Sequence, residues 1–418
     1  MKRSIKFGIF GLRRGASFYN NILANNGDIV AVCDREERKL NAAREQLGKD
    51  VALYRDFDKF IEHEGLEAVF LCNNFDQHTE FAIKALEKNI HVLSECTSNS
   101  TMAEGVKLVR AAEKSKAIYM LSENYPYMKF NQEMSRIFKG GTLGSLLFAE
   151  GEYNHPLDPN DEAKIKELRP YEKHWRNYLP RTYYITHSLG PLMYITGAMP
   201  TRVTAMPVYS SEEPDRLMGL AVGDRAAIIT CLNNDGSVFR VTGCAAFGAH
   251  ENSYRICGTR GQVENLRDGS ERILLNYNEW QTPEGMPSRI CYAPVWNDKD
   301  KALIESAGHG GGDFLVIRDF FDCIRENKQP FFDVYRATTM ASVAILSHRS
   351  VLEGSVPYDI PDFRREEDRK KYENDDLTPF YRADGSAPTL PCCSNPDHKV
   401  DPELLEDYRR ILNTDYPS

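Results

Sequence analysis

Over residues 5–121 short apolar runs alternate with longer stretches whose apolar positions recur every three or four residues. Ile5-Lys6-Phe7-Gly8-Ile9-Phe10 is the first run, bounded by glycine, and it reads as a buried strand. A helical stretch over 16–24 follows, and then the run Ile29-Val30-Ala31-Val32-Cys33. Helical patterns over 56–64, 78–88 and 101–114 each precede a further run: Ala68 to Cys72, Ile90 to Leu93, and Ala117 to Leu121. Repeated strand–helix units of this length predict an α/β fold, a doubly wound parallel sheet with right-handed crossovers. After Glu123 the alternation stops. Residues 144–154, 201–209, 224–232, 237–245, 253–257 and 262–265 read as strands between turn residues, and Asn233-Asn234-Asp235-Gly236 is a hairpin signal. They predict a second, α+β domain with a mostly antiparallel open sheet, completed by helices near 313–326 and 335–353. The expected divisions are therefore 1–124, 125–363 and a charged, proline-rich extension over 364–418 with a last helix near 402–412.

Composition narrows the partners. A chain of 418 residues is long enough for two cores. Its net charge of -9 argues against nucleic acid or an anionic membrane, and no apolar run of about 18 residues is present to span one. The 10 cysteines are scattered through strands and loops, as reduced thiols of a cytoplasmic protein would be. No signal-peptide pattern precedes the first strand. Cys392-Cys393 has no second pair or histidine cluster beside it, and no metal is assigned. A small-molecule substrate is the expected partner.

The chemistry starts at the turn after the first strand. Gly11-Leu12-Arg13-Arg14-Gly15 sits between strand and helix, where a Rossmann domain binds phosphate. The usual middle glycine is absent and Gly15 comes early. Asp34 ends the next strand, close to the expected spacing of about 20 residues. A carboxylate there binds the ribose hydroxyls and favours NAD over NADP, although Arg35 leaves room for NADP, and Asp34 also suits a helix cap. Ligands bind at the carboxyl ends of such strands, which here carry Asn73, Asn74 and His78, then Glu95, then Glu123 and Asn124. In the second half Tyr184 and His187 stand three apart at a helix entry, with Thr186 or Ser188 as its cap. Both side chains carry protons, and a tyrosine of pKa about 10 needs a nearby cation or histidine to act at neutral pH. Residues 155–182, polar and interrupted by four prolines, read as a long active-site loop.

The glycine turn, Asp34, the Asn73-Asn74-x-x-x-His78 end and the segment from Ala82 to Glu95 resemble the glucose–fructose oxidoreductase/inositol dehydrogenase (Gfo/Idh/MocA) family. Dehydrogenases of that family continue Glu-Lys-Pro, and this chain reads Glu95-Cys96-Thr97. A closer resemblance is to the NAD-dependent glycosidase branch, glycoside hydrolase family 109, which also lacks the lysine. Glu123-Asn124, Glu150-Gly151-Glu152-Tyr153, Trp175-Arg176, Tyr184-Ile185-Thr186-His187-Ser188-Leu189-Gly190-Pro191 and Gly308-His309-Gly310-Gly311-Gly312-Asp313 match its motifs. The resemblance implies an NAD-dependent glycosidase. It would act by oxidation at C3, loss of the C2 proton with departure of the C1 substituent, water addition and return of the hydride. Tyr184, His187, Tyr153 and Glu123 would be catalytic. Arg176, Tyr153 and Thr186 would bind the sugar. Gly11, Arg14, Gly15, Asp34, Asn74, His78, Glu95 and Asn124 would bind the cofactor. The open sheet would join copies into a homo-oligomer, and His309 would be structural. A sugar or cyclitol dehydrogenase and a non-catalytic NAD-binding protein are the alternatives.

Overall fold

The computed structural model describes residues 2–156, 158–210 and 220–414. Strands β1 (Ile5–Phe10), β2 (Gly27–Cys33), β3 (Ala52–Tyr54), β4 (Ala68–Leu71), β5 (His91–Ser94) and β6 (Tyr119–Leu121) form a parallel sheet in the order β3-β2-β1-β4-β5-β6. The strand order reverses between β1 and β4, so the crevice opens at their carboxyl ends. Every residue of β4 is buried, which is why the run is apolar without alternation. β3 was not expected; its three residues are only partly buried and carry little pattern. The helix expected over 56–64 is one turn, Phe57–Phe60, capped by Asp56. Helix Met102–Lys114 starts at a full capping box made by Thr101 and Glu104.

The second sheet has nine strands: β7 (Leu146–Asn154), β8 (Pro200–Tyr209), β9 (Asp224–Asn233), β10 (Val238–Thr242), β11 (Glu251–Gly258), β12 (Gly261–Asn265), β13 (Ile273–Tyr277), β14 (Arg289–Tyr292) and β15 (Tyr358–Asp359). Their order is β14-β13-β12-β11-β7-β10-β9-β8-β15. All pairings are antiparallel except that of β10 with β7. The hairpin read at Asn233 to Gly236 is the β9–β10 turn. On the outward face Glu150 pairs with Arg240 at 2.6 Å and Arg255 at 2.8 Å, beside exposed Met206 and Leu232.

Two long helices follow. Gly312–Glu326 returns to the parallel sheet, where Phe321 meets Phe7 edge-on with ring centroids 5.1 Å apart. Val334–Leu352 packs on β8 and enters the main core. The extension then crosses the 155–182 stretch. Leu404, Tyr408 and Ile411 of helix Pro402–Asn413 bury against Ile165 of helix Glu162–Leu168. Each such buried apolar side chain contributes about 1.5–3 kcal/mol.

Candidate active site

The cofactor side is built from strand ends. Gly11 has φ 92, and a Cβ there would lie 2.5 Å from the carbonyl of Cys72, so only glycine lets the turn rest on the end of β4. The Asp34 carboxylate accepts the Leu12 N–H at 2.8 Å and the Glu36 N–H at 2.9 Å. It does not cap the following helix, whose N-cap is Glu36. A carboxylate offers about four acceptor positions, which leaves some for ribose hydroxyls. Arg14 spans the crevice, donating from Nε to Glu95 at 2.9 Å and from Nη2 to Asp313 at 3.0 Å. Burial weakens its charge, and the two carboxylates more than offset that. Asn124 donates to Asp313 at 2.7 Å. The carbonyl oxygens of the Asn124 and Asn73 side chains are buried without a hydrogen-bond partner among the described residues. A buried orphan acceptor costs about 1–3 kcal/mol, so these two fit a bound ligand better than an empty crevice. The donor and acceptor set suits NAD.

Two expected cofactor residues sit differently. His78 is 1% exposed, with Nδ1 3.0 Å from the Thr97 carbonyl and Nε2 3.1 Å from that of Asn73. Its ring holds the two loops together, and burial pushes its pKa down. Asn74 reaches outward and donates to the Tyr171 hydroxyl at 3.3 Å.

The substrate side centres on helix Thr186–Thr196. Its N-cap is Ile185, without a side-chain cap, so the caps expected at Thr186 or Ser188 do not form. Ser188 instead donates to the Ile185 carbonyl at 3.0 Å. The rings of Tyr184 and His187 stand 5.4 Å apart at 85°. His187 Nδ1 lies 2.9 Å from Oε1 of Glu123, which is fully buried at the end of β6. Gly190 makes that pairing possible, since a Cβ there would lie 2.6 Å from Glu123 Cγ. Burial alone would push the Glu123 carboxyl up; His187 holds it below its ordinary value, so it is ionised. Tyr125 stacks on His187 with centroids 3.9 Å apart, and Tyr153 meets the same imidazole edge-on at 5.0 Å. Cys96 lies 3.4 Å from Glu123, its thiol pushed well up by burial and by that carboxylate.

The phenols do not behave as expected. Burial pushes Tyr184 up to about 12, although Arg176 opposes the rise. Burial and the neighbouring Tyr184 push Tyr153 up as well. Both hydroxyls are therefore protonated at neutral pH, and the anion of the cluster is Glu123. Arg176 sits in the 3-10 turn Trp175–Asn177, which His174 caps by accepting the Arg176 N–H. Its guanidinium lies over the Trp175 ring at 4.3 Å, and its Nε is buried without a hydrogen-bond partner among the described residues.

Tyr125 and Asp313 escaped the sequence reading as site residues. Tyr125 follows Glu123-Asn124 directly, and Asp313 closes the Gly-His-Gly-Gly-Gly motif, so position in a motif could have found both. Of the other histidines near acids, His155 packs on His250 at 4.8 Å and His174 on Trp175 at 5.3 Å. Among the described residues no cluster of three or more His, Cys, Asp or Glu is placed to hold a metal ion, and no helix is long and apolar enough to cross a membrane.

Comparison with known proteins bears on the two domains that carry these residues. Residues 5–123 match the family model described as oxidoreductase family, NAD-binding Rossmann fold. Residues 220–370 match the model of the glycosyl hydrolase 109 C-terminal domain. A glycosyl hydrolase family 109 protein of Streptomyces niveus is 28% identical over 401 residues, which cover 88% of this chain and 79% of the relative. An alpha-N-acetylgalactosaminidase of Tannerella forsythia is 25% identical over 410 residues, 86% of each chain. Among solved structures, a levoglucosan dehydrogenase in complex with NADH and L-sorbose superposes with a TM-score of 0.72 at 16% identity, covering 86% of this chain and 100% of that one.

Proposed function

We propose, from the premise that the chain is an NAD-dependent enzyme of the Gfo/Idh/MocA type with a glycosyl hydrolase 109 C-terminal domain, that it hydrolyses a small glycoside by transient oxidation at C3, elimination, water addition and re-reduction. The observation that carries the reading is the His187–Glu123 pair, set among the Tyr184, Tyr153 and Tyr125 rings beside the strand ends that suit NAD. When bound, NAD supplies a hydride acceptor that can give the hydride back. Gly11, Arg14, Gly15, Asp34, Glu95 and Asn124 would hold it, with His78 acting through the loops it joins and Asn74 turned outward to Tyr171.

The chain's own groups then divide the proton work. His187 takes the C3 hydroxyl proton, and buried Glu123 stabilises the imidazolium that forms. Tyr184, kept protonated, donates a hydrogen bond to the C3 oxygen. Tyr153 acts on the C2 proton. Arg176 and Thr186 bind sugar hydroxyls. The name of the Tannerella relative makes an N-acetylated hexosaminide the first substrate to try. Cys96, where dehydrogenases of the family carry lysine, speaks against simple oxidation. The ten free thiols support a reducing, cytoplasmic setting, and Met206 and Leu232 support a homo-oligomer through the open sheet.

The test is to release and identify the bound cofactor, then assay chromogenic glycosides with and without it. Cleavage that needs NAD yet accumulates no NADH is expected. Cleavage by cofactor-free protein overturns the mechanism, and stoichiometric NADH with an oxidised sugar makes the protein a dehydrogenase.

A further inference from the structure

The proton steps leave the Cys96 thiol unused, although it touches their central pair. Strands β5 and β6 run side by side, with Ser94 opposite Leu121. Two residues beyond that register stand Cys96 and Glu123. Neighbouring strands lie about 4.8 Å apart, so the sheet itself sets this thiol against that carboxylate. Cys96 Sγ is 3.4 Å from Glu123 Oε2 and 3.9 Å from the Ser122 carbonyl. The Cys96 N–H donates to the Glu95 carboxylate at 3.3 Å, and Arg14 holds that carboxylate in turn.

The two oxygens of Glu123 are served unequally. Oε1 accepts from His187 Nδ1 at 2.9 Å and from the Tyr125 N–H at 3.1 Å. Oε2 has a longer approach from the same Nδ1, at 3.2 Å, and the thiol. The Glu123 side chain is fully buried, so Oε2 depends on a donor from the protein. Burial and the Glu123 and Glu95 carboxylates push the thiol well above its ordinary value, so it keeps its proton. A thiol is a weak donor, and an ionised acceptor strengthens it. Being neutral, it satisfies an oxygen without cancelling the charge that the imidazolium needs. The phenols of Tyr125 and Tyr254 also face Glu123; burial pushes both up, so they too stay protonated.

We infer that Cys96 is a positioning residue: its S–H donates to Glu123 Oε2, keeps Oε1 aimed at His187 and thereby sets the strength of His187 as a base. The inference rests on the proton role that the glycosidase reading gives His187. Removing the donor concentrates charge on the carboxylate and lets it turn, so the His187–Glu123 pair takes up a proton at higher pH.

The experiment uses the NAD-loaded protein and three substitutions. Cys96→Ser keeps a donor, Cys96→Val keeps bulk without one, and Cys96→Ala keeps neither. On a 4-nitrophenyl N-acetylhexosaminide, Val and Ala should move the acid limb of kcat/KM up by about one pH unit and lower kcat about tenfold. Ser should restore the limb and most of kcat, with NAD affinity by fluorescence titration alike in all three. The infrared S–H band of Cys96, isolated as wild type minus Cys96→Ser, should lie below that of a free thiol and rise in Glu123→Gln. A Val variant that matches wild type, a Ser variant that falls with Val and Ala, or losses without movement of the acid limb overturn the assignment. Wild type that cleaves no glycoside removes the glycosidase reading, and the band then decides the thiol separately: lowered, it supports the donation to Glu123, and at the free-thiol position it overturns it.

Discussion

On the cofactor side of the cleft the polar groups follow neighbouring strands of one parallel sheet: Asn73 after β4, Glu95 after β5, Glu123 and Asn124 after β6. On the substrate side they come from unlike elements. Tyr153 is near the end of β7, Arg176 sits in a 3-10 turn, His187 starts a helix, and His309 lies in a left-handed turn. The first wall is a product of strand order, and a fault in one strand end leaves the others in place. The second wall depends on long-range packing, so its parts should fail together in substrate handling while the cofactor still binds. Glu123 belongs to both, since it ends a strand of the first and anchors the imidazole of the second.

The separation can be tested from the largest effect downward. His187→Ala should lower kcat by about 10²–10⁴-fold with NAD affinity unchanged; a parallel loss of NAD binding would merge the two walls. Acid should act next, through Asp313. Its carboxyl falls from 3.8 to about 2 on folding, so its stabilisation is complete above about pH 4 and is lost as pH drops toward about 2. The amount is about 2 kcal/mol, and denaturant titrations should show the gap between wild type and Asp313→Asn closing over that window. Asp34→Ser should weaken NAD roughly tenfold, about 1.4 kcal/mol, and leave the KM for glycoside alone at saturating cofactor. Tyr408→Phe should be mildest. Its hydroxyl donates to the Arg169 carbonyl at 2.5 Å and accepts from Asn177 at 3.2 Å, beside Arg176. Losing about 1 kcal/mol there should raise KM several-fold with kcat and NAD affinity near wild type.

How much could be read in the sequence follows the same division. The parallel sheet was legible because buried strands are apolar throughout and glycine marks the turn at Gly11. β3, β13 and β14 were not, being short or irregular in pattern. Tyr184 beside His187 was readable from spacing, but the state of the phenol was not, because burial raises its pKa and burial is a property of the assembled fold. Asp34 was found at its position without its bonds to Leu12 and Glu36, which need the turn to fold back on the strand. Nothing local in helix Pro402–Asn413 announces that Tyr408 reaches the Arg176 turn, since Asn177 lies 231 positions earlier in the chain.

That last contact sets an order of events during synthesis. A ribosome delivers the NAD-binding strands well before residues 402–413, so the nascent chain can begin its dinucleotide pocket before the substrate wall is fastened. Cutting the chain before Pro402 should then blunt turnover more than it weakens cofactor binding.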